Sequence, residues 1–391
     1  MKKKIAFMLL FVFVFLNLIT FSALAEPGER KKYEISGADF DFDCTSALLM
    51  DATTGTVLYS MNENDEASPA SVTKIMTLLL VMEAIEDGAV SLDDTVCISG
   101  NAAGMGGSQV FLEEGERISL EDLLKCTVIA SGNDSAVALA EHISGSEAAF
   151  VKKMNDRAAE LGLLNTRFEN ATGLDDTTVD HVSSAFDIAL MSCELISHDL
   201  ITKYSSLWQD SIRNGEFILT NTNRLVRYYD GCNGLKTGST DKAGFCISAT
   251  AKRDGMQLVA VVMGAPTREV RNNIARELLD FGFSNYALYR DEEGWLEDVK
   301  VVGSEVSVTG AYSESFIALI NKSDVKKINK VYTIPEVLNA PVGAGDSIGS
   351  VAYMIGDRLV GKSDIFIKED LCLIDYFDVL KKMIRNCIFV E

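Results

Sequence analysis

Histidine, tryptophan and proline are scarce in this chain of 391 residues, which has 3 His, 2 Trp and 5 Pro. None of the histidines (His142, His181, His198) lies in a G-x-S-x-G or comparable context, so a Ser-His-Asp hydrolase site is not indicated. The 8 cysteines are without C-x-x-C spacing, so no zinc site is predicted. We expect no metal or organic cofactor, and single buried thiols at Cys44, Cys97, Cys126, Cys193, Cys232, Cys246, Cys372 and Cys387.

Basic residues are also few in comparison with acidic ones. The chain has 36 Lys and Arg and 57 Asp and Glu, so its formal net charge is -21. Nucleic acid would repel so acidic a surface, which excludes it as a partner. The 47% share of hydrophobic residues can fill a sizeable core, and we find no internal repeat or low-complexity tract. The composition therefore indicates a globular protein of two or three domains.

A long apolar run, "IAFMLLFVFVFLNLITF", stands near the N-terminus between "MKKK" and the small-residue pattern "ALA" that precedes Glu26. A basic start, an apolar middle and a small-residue cleavage site are typical of a secretory signal peptide. We therefore predict a signal peptide at residues 1–25 and an exported mature chain, with an uncleaved anchor as the alternative. Because no cysteine lies near the cleavage point, a lipoprotein is not expected.

Hydrophobic periodicity predicts both strands and helices. Residues 45–60 read as two short strands around a turn, and residues 245–251 and 257–265 flank "KRDG" as an antiparallel hairpin. Residues 119–130 and 133–143 have apolar positions at helical spacing, the first after a serine N-cap. The stretch between these two helices is therefore predicted to be a connection.

Three segments carry the residue types of a nucleophilic site. Ser71 and Lys74 are one helical turn apart, so the lysine amine is placed to take the proton of the serine hydroxyl. The amine can act as a base only when it is neutral, and burial or a second cation lowers the pKa of a lysine. Lys236 in "LKTG" would supply that cation, and Ser131 with Asn133 on the inter-helix connection would complete the site.

The three segments occur in the order S-x-x-K, S-x-N and K-T-G. With this order the chain resembles the serine penicillin-recognising enzymes, and within them the D-alanyl-D-alanine carboxypeptidases of low molecular mass. The stretches "GGSQVFLEEGE", "NTRFENATGLDD", "NTNRLV" and "GLKTGSTDKAGFCISATAKRDGMQLVAVVMGA" also look like that family, and the likeness covers about residues 42–290. His181 matches a family segment and is interpreted as structural or site-bordering. One departure is "NATGL" at residues 170–174, where the family has N-P-x-G-L.

The resemblance implies an α/β catalytic domain in which an antiparallel sheet, with the K-T-G strand at its edge, is flanked by helices. It implies that Ser71 attacks the carbonyl between two D-alanines of a peptidoglycan stem peptide, with Lys74 accepting its proton and Ser131 relaying it to the leaving D-alanine. β-Lactam antibiotics would acylate the same serine. The enzyme would act on the outer side of the cytoplasmic membrane.

The resemblance also implies the substrate-binding residues. Asn133 would hold the substrate amide, Lys236 would attract the terminal carboxylate, and Thr237 would hydrogen-bond to it. Gly238 completes the K-T-G triplet. The backbone N–H groups of Ser239 and of the nucleophile would form the oxyanion hole.

Two alternative functions are weighed against this one. A β-lactamase of the same superfold needs a fast deacylation base, usually in E-x-x-x-N, and Glu169 with Asn170 lacks that spacing. A catalytically silent cell-wall-binding protein would have no use for the lysine that activates the serine.

The C-terminal part differs in texture. After about residue 290, short apolar stretches alternate with glycine and charge, which predicts a small all-β domain. We predict a catalytic domain at residues 26–290, a β-rich domain at 291–370 and an amphipathic membrane-anchoring helix at 371–391. That tail has a basic face on an acidic protein, which suggests binding to a membrane surface; docking on the β domain is the alternative.

Overall fold

The computed structural model describes residues 40–176, 178–292, 294–295 and 298–388. The predicted signal peptide at residues 1–25 lies outside these ranges.

The helices and strands follow one another along the chain. The helices are α1 (Lys74–Glu86), α2 (Gly100–Ala103), α3 (Leu120–Lys125), α4 (Asn133–Ser144), α5 (Glu147–Glu160), α6 (Ala185–Ser197), α7 (Asp199–Ser205), α8 (Leu225–Tyr228), α9 (Arg268–Asn285) and α10 (Tyr376–Ile388), with short 3-10 segments at Ala70–Thr73, Arg213–Gly215 and Lys322–Lys327 and a π segment at Cys126–Ala130. The strands are β1 (Ser46–Asp51), β2 (Thr56–Met61), β3 (Thr95–Cys97), β4 (Arg117–Ser119), β5 (Gln209–Ile212), β6 (Phe217–Thr220), β7 (Cys232–Thr240), β8 (Gly244–Arg253), β9 (Met256–Ala265), β10 (Tyr286–Asp291), β11 (Gly294–Trp295), β12 (Val299–Val302), β13 (Val308–Thr309), β14 (Ala311–Ser313), β15 (Phe316–Asn321), β16 (Ile328–Thr333), β17 (Val337–Asn339), β18 (Ser347–Ile355) and β19 (Arg358–Ile367).

A five-stranded antiparallel sheet forms the centre of the catalytic region, in the order β2-β1-β9-β8-β7. The K-T-G segment lies on β7, and β7 is the edge strand, as predicted. Both predicted hairpins, β1 with β2 and β8 with β9, are present. The middle strands are continuous apolar runs because both faces of the sheet are covered.

Helices cover the two faces of this sheet, which confirms the expected layers. On one face α9 packs against β8 and β9, with Leu278 against Leu258 in a shared apolar cluster. On the other face α6 packs over β1 and β9, and α1 packs against α6, with Met76 and Ile188 in the larger cluster. Burying each such side chain stabilises the fold by about 1.5–3 kcal/mol before entropy costs.

The predicted helix over residues 119–130 divides into α3 and the π segment. Ser119 caps α3 by accepting a hydrogen bond from the backbone N–H of Asp122 at 3.1 Å. The π segment ends at Ser131, whose backbone is left-handed with φ 65°. Two residues later α4 begins, so the connection between these helices is reduced to Ser131 and Gly132.

The C-terminal part is an all-β domain followed by a helix. One sheet has the order β11-β14-β19-β18-β16 and a smaller one the order β13-β12-β17, around a core that includes Val301, Tyr353 and Ile365. Strands β10 and β15 pair separately. The helix α10 lies within the stretch predicted to be amphipathic. In the part of the chain that the structure describes, no helix combines the length and apolar content needed to cross a bilayer.

The cysteines for which the structure gives a state are free thiols. Cys126 and Cys246 are buried, as expected, whereas Cys97 and Cys372 are exposed. The expectation of buried thiols is therefore wrong at these last two positions. Cys97 lies on the short strand β3, whose side chains alternate between exposed and buried, and Cys372 follows the last strand of the β domain.

Candidate active site

Ser71 and Lys74 meet where a 3-10 turn runs into a helix. Ser71 lies in the turn Ala70–Thr73, and Lys74 is the first residue of α1. Ala70 has φ 47°, a conformation uncommon for residues other than glycine. The amine Nζ of Lys74 lies 3.0 Å from Oγ of Ser71, so the predicted pair is in contact.

Lys74 is completely buried, and its other partners are neutral. Its Nζ donates to Oδ1 of Asn133 at 2.6 Å and to the backbone carbonyl of Thr172 at 2.9 Å. Among the described residues, no carboxylate forms an ion pair with it. Burial, and next the charge of Lys236, hold the pKa of Lys74 well below its ordinary value, against a smaller opposing effect of Asp134. Both effects favour the neutral form of the amine, which is the form that a base requires.

Lys236 and Ser131 form the second contact of the site. Nζ of Lys236 donates to Oγ of Ser131 at 2.7 Å and to the carbonyl of Thr237 at 2.9 Å. Lys236 is also buried, and burial first, then the neighbouring Arg271, lowers its pKa to about 7. A charged Lys236 in turn favours the neutral form of Lys74.

Glycines let two segments approach Ser71 closely. A Cβ at Gly238 would lie 2.8 Å from the backbone N of Ser71, so only glycine lets β7 run beside that N–H group. Gly173, with φ +78°, has no room for a Cβ because the carbonyl of Ala70 fills that space. The backbone of β7 at Ser239 and the N–H of Ser71 consequently border the same space, as an oxyanion hole requires.

A cavity of about 150 Å³ opens over these groups. Its lining consists of hydroxyls, two arginines and the backbone of β7, namely Ser71, Ser108, Ser131, Thr222, Thr237, Gly238, Ser239, Arg268 and Arg271. The buried side chains of Lys74 and Lys236 lie directly behind this wall through their contacts with Ser71 and Ser131, and Asn133 lies behind it through its contact with Lys74. The structure therefore brings all the predicted site residues together.

Both the oxygen and the nitrogen of the Asn133 side-chain amide form hydrogen bonds within the protein. Its Oδ1 accepts from Lys74, and its Nδ2 donates to the carbonyl of Gly106 at 2.7 Å. Its backbone N–H also donates to the carbonyl of Ser108 at 2.7 Å. In this structure Asn133 therefore fixes the lysine and the 106–108 loop.

His181 borders the site, in agreement with its interpretation from the sequence. Its Nδ1 accepts from the backbone N–H of Glu169 at 3.0 Å, so Nε2 carries the proton and donates to Oγ1 of Thr73 at 2.7 Å. Burial lowers the pKa of His181 to about 4, so it is neutral at physiological pH. His142 and His198 pair with Asp94 and Glu86 on other surfaces.

Several residues of the site carry no clear signal in the sequence. The loop 170–174 presents the carbonyl of Thr172 to Lys74, and the side chain of Asn170 secures this loop through the N–H of Gly173 at 2.7 Å and the carbonyl of Leu174 at 2.7 Å. Arg268 and Arg271 come from the first turn of α9. Their i, i+3 spacing directly after the β8–β9 hairpin was the available signal.

The chain is similar to known proteins over nearly all of its length. Residues 33–267 match the family profile described as D-alanyl-D-alanine carboxypeptidase, and residues 283–372 match that of the penicillin-binding protein 5 C-terminal domain. The D-alanyl-D-alanine carboxypeptidase DacF of Bacillus subtilis is 40% identical over 375 residues, which are 93% of this chain and 94% of that protein.

Solved structures agree with this similarity. Penicillin binding protein 5 from Haemophilus influenzae superposes with a TM-score of 0.74 at 30% identity and covers 86% of this chain and 99% of its own. Penicillin-Binding Protein D2 from Listeria monocytogenes, solved in ampicillin-bound and cefotaxime-bound forms, gives a TM-score of 0.59 at 31% identity over 63% of this chain and 100% of its own. The chain therefore belongs to the D-alanyl-D-alanine carboxypeptidase family, the S11 peptidases, and is a hydrolase of that class.

Proposed function

We propose that this enzyme removes the terminal D-alanine from peptidoglycan stem pentapeptides through an acyl-serine intermediate, and that penicillin inhibits it by acylating the same serine. The observation that carries the proposal is the 3.0 Å contact between Oγ of Ser71 and the buried Nζ of Lys74. A binding protein gains nothing from a buried neutral amine beside a hydroxyl, whereas a nucleophile needs one.

Acylation follows from this geometry. The amine of Lys74 accepts the proton of Ser71 as Oγ bonds to the carbonyl carbon of the penultimate D-alanine. The N–H groups of Ser71 and Ser239 stabilise the oxyanion, an effect worth about 3 kcal/mol per donor in comparable sites. The C–N bond then breaks, and Ser131 passes a proton to the departing amine. Water hydrolyses the resulting ester and frees Ser71.

Substrate binding uses the same wall of the cavity. Lys236 and Thr237 would receive the terminal carboxylate, because both lie on the edge strand β7 beside the nucleophile. Asn133 would meet the substrate amide while it keeps Lys74 in place. Gly238 leaves the space into which the scissile carbonyl fits.

We further propose the division of the chain and its location. Residues 1–25 act as a signal peptide, 26–290 as the catalytic domain, 291–370 as the β-rich domain and 371–391 as the membrane anchor. The mature enzyme then works on the outer face of the cytoplasmic membrane. Support comes from the order of the two family matches and from the helix α10 at the C-terminus.

The first test is release of D-alanine from diacetyl-L-lysyl-D-alanyl-D-alanine, together with labelling by fluorescent penicillin. Ser71→Ala should abolish both while the thermal unfolding curve stays nearly unchanged, because the hydroxyl borders a cavity. Ser323→Ala, at an exposed serine of the β domain, is the matched control and should leave both unchanged. Labelling that persists in Ser71→Ala, or penicillin that is released within seconds as in a β-lactamase, contradicts the proposal.

A further inference from the structure

A second depression, which we call the arginine pocket, adjoins the catalytic cavity. Its volume is about 470 Å³. It is lined by Arg224, Leu225, Tyr228, Arg268, Glu269, Asn272, Asn273 and Arg276. Arg268 lines both the arginine pocket and the catalytic cavity, so the two spaces meet at this side chain.

The arginine pocket has an excess of positive charge in its lining. Among the described residues, Arg224, Arg268 and Arg276 form no ion pair with a carboxylate, although the chain as a whole has a formal net charge of -21. Glu269 is the acidic residue in the lining, against three guanidinium groups. Burial first, then Arg268 and Arg224 among its neighbours, lowers the pKa of Arg271 to about 10, so these cations share one region.

The catalytic cavity is the smaller of the two spaces. Its volume is about 150 Å³, against about 470 Å³ for the arginine pocket. Thr237 and Arg268 line the same cavity, and Arg268 also lines the arginine pocket. If the α-carboxylate of the leaving residue lies at Thr237, a longer side chain on that residue can extend past Arg268 into the arginine pocket, where guanidinium groups match a carboxylate in shape and charge.

We propose that the arginine pocket binds a second carboxylate carried by the leaving residue, so that the enzyme cleaves D-alanyl-X bonds in which X is a larger, doubly anionic residue. This inference rests on the proposed function and uses the same chemistry. Oγ of Ser71 bonds to the D-alanyl carbonyl carbon, the C–N bond to X breaks, and the amine of X leaves with a proton. Water then hydrolyses the ester.

A carboxylate suits the pocket better than a phosphate polymer. The cations of the pocket are few and local, three arginines with Glu269 among them, and the pocket shares Arg268 with the catalytic cavity, which suits one carboxylate next to the scissile bond. Each charge-assisted hydrogen bond from an arginine to a carboxylate contributes about 1.5–3 kcal/mol, which corresponds to roughly 10-fold or more in kcat/KM.

The test compares three peptides, diacetyl-L-lysyl-D-alanyl-X with D-alanine, D-glutamate or D-glutamine as X. In the wild-type enzyme kcat/KM for D-glutamate should exceed that for its neutral isostere D-glutamine by about 10-fold. The double variant Arg224→Gln, Arg276→Gln should bring this ratio close to 1 and leave cleavage of the D-alanine peptide unchanged. Arg117→Gln, at an exposed arginine on β4 away from both cavities, should keep the wild-type ratio.

The outcomes separate the inference from the function on which it rests. Cleavage of the D-alanine peptide with a glutamate-to-glutamine ratio near 1 in the wild type overturns the inference alone. So does a ratio that the double variant leaves unchanged. Inhibition by inorganic polyphosphate that weakens in the double variant, with no preference for D-glutamate, would assign the pocket to a phosphate polymer instead. Failure to cleave any of the three peptides overturns the proposed function and the inference together.

Discussion

Lys74 and Lys236 are both buried lysines, but they titrate in different ranges. Burial lowers the pKa of each, and the charge of Lys236 lowers that of Lys74 further. Lys236 loses its proton at about 7 in the free enzyme. While Lys236 is charged it favours the neutral form of Lys74, so one amine can act as a base while the other attracts a carboxylate.

The pH profile of penicillin acylation should reflect both lysines. The second-order rate constant reports the free enzyme, so we expect it to rise as Lys74 deprotonates and to fall as Lys236 deprotonates. Arg271→Gln removes a cation that disfavours the charged form of Lys236, so its pKa rises and the falling limb moves to higher pH. Stopped-flow acylation measured across about pH 5 to 9 checks this shift.

Arg271→Lys is the control for that shift, because it keeps the positive charge and should leave the falling limb near its wild-type position. A limb that stays in place in Arg271→Gln would show that Lys236 is not the group that titrates there. Overall rates are expected to fall in both variants, since position 271 lines the cavity; the position of the limb is the diagnostic quantity.

The side chains of the site could be predicted from the sequence, but much of their environment could not. Ser71, Lys74, Ser131 and Lys236 stand in motifs whose spacing reflects the chemistry. The carbonyl of Thr172, which accepts from Lys74, is a backbone atom, and no residue type marks its position. Its placement depends on the loop around Asn170, which reaches the site from a distant part of the chain.

Elements with clear periodicity were predictable, whereas strained ones were not. The β8–β9 hairpin and the helix α9 follow their hydrophobic patterns closely. The division of residues 119–130 into α3 and a π segment has no counterpart in the pattern, because it depends on the left-handed backbone that Ser131 needs to face Lys236. Functional elements often depart from regular geometry in this way.

Gly238 tests how closely β7 must pack against the 3-10 turn. Gly238→Ala should place its Cβ 2.8 Å from the backbone N of Ser71 and 2.9 Å from the carbonyl of Pro69, so the strand must move outward. Because that movement widens the oxyanion hole, we expect acylation by penicillin to slow by about 100-fold or more. Fluorescent-penicillin labelling rates measure the effect.

The control for this element is Ser363→Ala, a buried substitution on β19 in the β domain, which should leave labelling rates unchanged. Circular dichroism should show that Gly238→Ala is folded, because the edge strand can shift without breaking its pairing to β8. Labelling at the wild-type rate would mean that β7 does not form the oxyanion hole.

At the scale of the whole molecule, the helix α10 follows the last strand of the β domain. Large apolar side chains of α10 are exposed to solvent, among them Phe377, Leu380 and Ile384. Transfer of each into a lipid interface would be favourable, by up to about 1.5–3 kcal/mol for full burial. Docking on the β domain, the alternative from the sequence, would have buried these side chains.

Removing α10 should therefore release the enzyme from membranes without affecting catalysis. The deletion is best made after Asp375, because Leu371 is buried and pairs with Val342, and Ile374 donates to the carbonyl of Gly303. Both proteins are prepared without residues 1–25. The protein that keeps α10 should sediment with phosphatidylglycerol vesicles, and the truncated protein should stay in solution. Both should hydrolyse a soluble D-alanyl-D-alanine peptide at the same rate.

The variant Leu380→Glu, Ile384→Glu, made in the chain that keeps α10, separates two modes of membrane binding. One is insertion of apolar side chains into the lipid, and the other is attraction between the basic side chains of the helix and anionic lipid. If α10 inserts its apolar side chains, this variant should behave like the truncated chain, and binding of the unmodified enzyme should survive high salt in part. If the truncated chain still sediments with vesicles, the anchor lies elsewhere. If salt alone releases the unmodified enzyme completely, the exposed apolar side chains of α10 do not enter the bilayer.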